Sequence, residues 1–138
     1  MSPSNMSDES VTDAKMLNWA SKATLVLLVL VLWQGASGIA NFGYSIGDMN
    51  LGSGHGHSGE LAFLVSIAIT VMVVRSKTDS SQLKGMAFGL PVMFLVQIGL
   101  GYMMSSMTWS GMLHVMLALG IMSHATILWY HLKSVAPK

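Results

Sequence analysis

The sequence has no cysteine, three prolines, and charge on only 9% of its 138 residues. Without cysteine there is no disulfide framework, thiolate metal site or thiol nucleophile. A soluble domain carries about 25% charged residues, so this scarcity of charge points to a lipid environment. The seven basic and six acidic residues leave a net charge of +1, which provides no basic surface for nucleic acid. No G-x-S-x-G, P-loop, H-E-x-x-H or dinucleotide fingerprint is present, which removes the common soluble-enzyme readings.

What the chain has is apolar length: 52% of it is hydrophobic and the mean hydropathy is +0.58. Crossing the hydrocarbon core takes about 20 apolar residues. Four runs meet that need, at about 19–43, 57–75, 85–105 and 110–132. They predict an all-α integral membrane protein, a four-transmembrane-helix antiparallel bundle made of two similar helical hairpins. The membrane domain covers 17–133. Residues 1–16 are polar and acidic, lack a basic signal-type start, and predict a disordered cytoplasmic tail. Residues 134–138 form a second short tail. Pro91 predicts a kink in the third span.

The basic residues sort to one side of this pattern. Lys15 and Lys22 precede or open the first span, Arg75, Lys77 and Lys84 lie around the second connection, and Lys133 and Lys138 follow the fourth span. The outer loops at 44–56 and 106–109 carry none. The positive-inside rule then predicts a multi-pass protein of the plasma membrane with both termini cytoplasmic.

Spans one and three share a motif, Gln34-Gly35-Ala36-Ser37-Gly38 and Gln97-Ile98-Gly99-Leu100-Gly101. Each is followed across an outer loop by a helix with histidine near its start, His57 and His114. His57 lies 18 residues before Arg75 and His114 lies 19 before Lys133. At about 1.5 Å per residue, both imidazoles stand roughly 27–28 Å from the cytoplasmic boundary. Two histidines at one depth can face each other across a bundle and act as the axial ligands of a haem b. Ala118, Ile121 and Ala125 continue the His114 face, and Leu61, Leu64 and Ala68 that of His57.

The run LVQIGLGYMMSSMTWSGMLHVMLALGIMSHATILWYHLKS resembles the closing hairpin of a haem A synthase half-domain. WQGASGIANFG with HGHSGELAFL is similar to the opening hairpin of that four-helix unit. The resemblance implies His57 and His114 as haem ligands near the outer face, with a role in haem handling for cytochrome oxidase assembly or in transmembrane electron transfer. The chain has one such unit where the family has two. Gly54 and Ser58 stand where the family's catalytic half carries glutamate and arginine. Chemistry on haem would therefore require a second site, supplied by a homodimer.

Other residues carry alternatives. His55 and Glu60 are candidates to hydrogen-bond a ligand histidine, with His55 more simply a wetted loop residue. His124 lies mid-membrane, where an ionisable group is expensive; a structural bond to Gln97 or Ser66 is the favoured reading over a second cofactor site. Met49, Met103, Met104, Met107 and Met112 gather on the His55–His57 side. Thioether with imidazole suits copper, so a copper-handling subunit is the rival. A third reading is a cofactor-free structural subunit. Expected partners are the lipid bilayer and either further copies of this chain or a respiratory or copper monooxygenase membrane complex.

Overall fold

The computed structural model describes residues 12–40 and 51–135. It contains four long helices: α1 (Ala14–Ala40), α2 (His55–Arg75), α3 (Ser81–Met103) and α4 (Thr108–Val135). A short 3-10 turn, Leu51–Gly54, leads into α2. No strand occurs among the described residues. All four helices are long and apolar enough to cross a membrane, so the chain is a multi-pass membrane protein in contact with lipid. Of the expected tail, residues 1–11 lie outside the described residues, as do 136–138 at the other end. The helices overrun the apolar runs at most ends, because capping and turn residues extend them. Asp13 Oδ1 accepts from the Met16 N–H at the start of α1, and Ser80 Oγ accepts from the Leu83 N–H at the start of α3.

The helices form a closed square in which α1 packs on α2, α2 on α3, α3 on α4 and α4 on α1. α2 and α4 are therefore diagonal, and only long side chains or a ligand can bridge them. One half of the square is filled. Leu17, Leu27, Ile69, Leu90, Leu128 and Leu132 are fully buried there, at the end that carries the lysines and Arg75. The outward faces are apolar too, with Val29, Leu32, Val92, Leu95 and Leu119 each about 60% or more exposed, as helices facing lipid require. Apolarity thus fails to separate inside from outside here. Residue size separates them better, since close helix approach selects Gly, Ala, Ser and Thr.

Pro91 lies inside α3. Its missing N–H leaves the Ala87 carbonyl, four residues back, without an intrahelical donor. Thr70 Oγ1 of α2 donates to that carbonyl at 2.7 Å. From the other side, His124 Nε2 of α4 donates to the neighbouring Met86 carbonyl at 2.8 Å. Both helices flanking α3 thus supply polar hydrogens at the proline. Thr70→Val is expected to destabilise the bundle by about 0.6–1.7 kcal/mol, the range of interhelical bonds in membranes. Pro91→Ala restores a backbone donor for Ala87, so the same threonine change should cost less in that background. Reversible unfolding in mixed micelles of the four variants checks both statements.

Candidate functional site

The opposite half of the square is hollow. A cavity of about 810 Å³ lies between the helices at the end away from the basic residues, bounded below by Phe94 and Ile121. Its volume falls within the range of small-molecule and cofactor sites. It exists because Gly35, Gly38, Gly59 and Gly101 line it and contribute no side-chain bulk.

His55 and His114 reach into this space from the diagonal helices. Their ring centroids are 6.1 Å apart and the rings are inclined at 54°. Each ring rests against the backbone of a glycine. A Cβ added at Gly38 would come 3.0 Å from His55 Cε1, and one at Gly101 would come 3.3 Å from His114 Cε1. The two glycines are the fourth residues after Gln34 and Gln97, so the shared Q-x-x-x-G motif builds the same seat twice. Gln34 further clamps the start of α2, its Nε2 donating to the His55 carbonyl at 2.7 Å and to Ser58 Oγ.

The hydrogen bonds assign the protons. His114 Nδ1 lies 3.0 Å from the Gln97 carbonyl, which can only accept, so Nδ1 carries the hydrogen. Ser37 Oγ donates to the Trp33 carbonyl at 2.8 Å, so it accepts from His55 Nδ1 at 3.2 Å. In both neutral imidazoles Nε2 is left with its lone pair, and neither Nε2 has a hydrogen-bond partner among the described residues. Fixing Nδ1–H on a carbonyl or hydroxyl is how proteins orient a metal-ligating histidine.

The facing pair is therefore His55 with His114, not His57 with His114. His57 sits two residues further along α2, which turns it about 200° around the helix. Its side chain is 92% exposed and lies 3.8 Å from Glu60, itself 61% exposed. The residues expected to continue the His57 face, Leu61, Leu64 and Ala68, are all exposed. His55 opens α2 and is half-buried, not a wetted loop residue, because the preceding 3-10 turn winds into the helix. Its face runs on through Gly59, Ala62 and Ser66, which are half-buried or buried. That stripe of small residues was the available signal for the inward face. On α4 the expected face holds: Ala118 is half-buried, and Ile121 and Ala125 are buried.

The remaining candidates lie around or away from the pair. Glu60 borders the cavity at its rim. Met104 lines it, 37% exposed, while Met103 is half-buried and Met107 and Met112 are exposed. Met49 lies outside the described residues. Among the described residues no group of three or more His, Asp or Glu gathers to hold a metal. His124 is bonded to the Met86 carbonyl and packs against Gly89, in place of the expected Gln97 or Ser66. His124→Leu is expected to cost about 1 kcal/mol of stability and to leave any cofactor spectrum of the cavity unchanged, which parallel unfolding and absorption measurements would check.

The residues of the cavity fit a haem. A metal ion between two imidazoles, with metal–nitrogen bonds of about 2.0–2.1 Å, places the ring centroids roughly 6 Å apart. The two Nε2 atoms would serve as its ligands, glycines leave room for a macrocycle, and a buried amide oxygen, Gln97 Oε1, lacks a partner among the described residues. Comparison of the chain with protein-family models, with curated proteins and with solved structures gives no match, so what the site does rests on its own geometry.

Proposed function

We propose that this protein holds one haem b in the cavity, between His55 and His114, and serves electron transfer or haem handling in a respiratory membrane. The observation that supports this most is the facing histidine pair on diagonal helices, with both Nδ1 atoms committed and both Nε2 atoms free. Two imidazoles with no carboxylate or further imidazole gathered beside them among the described residues suit a metal that brings its own equatorial donors. Bound there, a haem would supply a one-electron couple, with His55 and His114 as the residues that hold it. The chain's part is to hold the two rings in the right tautomer, seat them on Gly38 and Gly101, and surround the group with apolar side chains. The positive-inside rule puts the cavity toward the outer face of the plasma membrane, with both termini cytoplasmic.

Met104 beside the two histidines favours a second reading, a Cu(I) site with imidazole and thioether ligands. An absorption spectrum of the detergent-purified protein, oxidised and then dithionite-reduced, separates the two. Haem predicts a Soret band and a sharp reduced α-band. Copper predicts a colourless protein whose metal is lost in Met104→Leu. A flat spectrum from protein made in haem-replete cells would end the haem reading.

A further inference from the structure

The two glutamines of the repeated motif are used differently. Gln34 is spent on the fold, with its Nε2 donating to the His55 carbonyl and to Ser58 Oγ. Ser58 stands three residues after His55, whereas Leu117 stands three residues after His114. The second hairpin therefore lacks the hydroxyl that would engage Gln97. Gln97 lines the cavity, and its Oε1 is buried with no hydrogen-bond partner among the described residues. Its backbone carbonyl receives His114 Nδ1, which puts this amide beside the histidine pair. Buried polar groups in folded proteins are almost always paired. A ligand in the cavity can bring the partner that no described residue supplies.

Charge decides what kind of partner. Among the described residues the basic ones are Lys15, Lys22, Arg75, Lys77, Lys84 and Lys133, all at the far end of the helices from His55 and His114. No lysine or arginine is placed to neutralise an anion in the cavity. A carboxylate brought there is desolvated without a counter-ion, which favours its protonated form. A protonated carboxyl is the complement of a carboxamide. Its O–H donates to Oε1 and its carbonyl oxygen accepts from Nε2.

We infer that Gln97 recognises one carboxyl group at the edge of the bound tetrapyrrole and holds it as the neutral acid. This rests on the haem reading of the cavity. Gln97 is then a specificity-determining residue, while its counterpart Gln34 is a clamp between helices.

The test titrates the haem-free full chain, in detergent, with haem b and with its dimethyl ester. Holding the carboxyl as the neutral acid takes up one proton per haem, so the wild type's preference for the free acid is expected to grow as the pH falls and to reach about tenfold in the ordinary carboxyl range, the effect of one or two net hydrogen bonds. Gln97→Met, similar in length and unable to bond, is expected to bind both forms equally while keeping the low-spin spectrum. An infrared spectrum of the wild type with carboxyl-labelled haem should show a protonated carbonyl band. Equal discrimination in wild type and variant would overturn the role of Gln97, as would a fully ionised label in the wild type. The infrared result stands even if Gln97→Met fails to assemble. Failure of the wild type to bind either porphyrin would remove the haem reading and this inference together, whereas binding with unchanged discrimination removes only the inference.

Discussion

His55→Ala and His114→Ala are each expected to abolish the Soret band of the haem-loaded protein, while His57→Ala leaves it at full height. The contrast is large because each inward histidine supplies one of the two imidazoles of the proposed site, whereas His57 supplies none. Glu60 sits at the rim, and His57 points away from the cavity with 92% of its side chain exposed. Moving His57 into the cavity would require α2 to turn by about half a revolution. That would drive Leu61 and Leu64 against α1 and α3 and expose Ala62, Ser66 and Ile69, now fully buried. Haem content by pyridine haemochrome, normalised to protein, is the measurement. If His57→Ala loses the haem and His55→Ala keeps it, the rotational setting of α2 described above is wrong.

The second large effect is steric. Gly38→Val and Gly101→Val are expected to reduce haem occupancy about 10–100-fold, the scale seen when groups that orient a metal ligand are disturbed. The first methyl carbon alone would stand 3.0 Å from His55 Cε1 or 3.3 Å from His114 Cε1, so each ring must tilt away from its seat. A tilted His55 also loses the Ser37 hydroxyl that fixes its tautomer. Gly99→Ala is the control, since Gly99 lies on the same helix as Gly101, is exposed and away from the cavity lining, and an added Cβ there meets nothing within 4 Å. Circular dichroism should show unchanged helix content in all three. If Gly99→Ala costs as much haem as Gly101→Val, general helix packing and not the histidine seat is responsible.

The two effects address different links of one chain of causes. The histidine substitutions remove ligand atoms, whereas the glycine substitutions leave those atoms present and misdirect them. Loss in both series, with the His57 and Gly99 controls silent, would tie the cofactor to this geometry and not to a generic apolar hollow.

Much of this protein follows from its residues in order. Scarcity of charge and four long apolar runs require helices that satisfy their backbone internally in lipid. The one-sided placement of lysine and arginine separates two ends of the bundle, and His114 is already visible as the head of a small, apolar face on α4. The spacing from Gln34 to Gly38 and from Gln97 to Gly101 marks the pair of seats. What only the tertiary structure decided is which histidine of α2 turns inward. Both faces of that helix are apolar, so hydrophobic periodicity is silent, and only the small residues Gly59, Ala62 and Ser66 in line with His55 mark its inward face in the sequence. The choice falls to Gly38, Ser37 and Gln34 on α1, which accept the ring and the first turn at His55. The same holds for His124 and Thr70. Their partners are carbonyls of α3 beside Pro91, and the proximity of those atoms depends on how the helices pack around the proline, which no local pattern encodes.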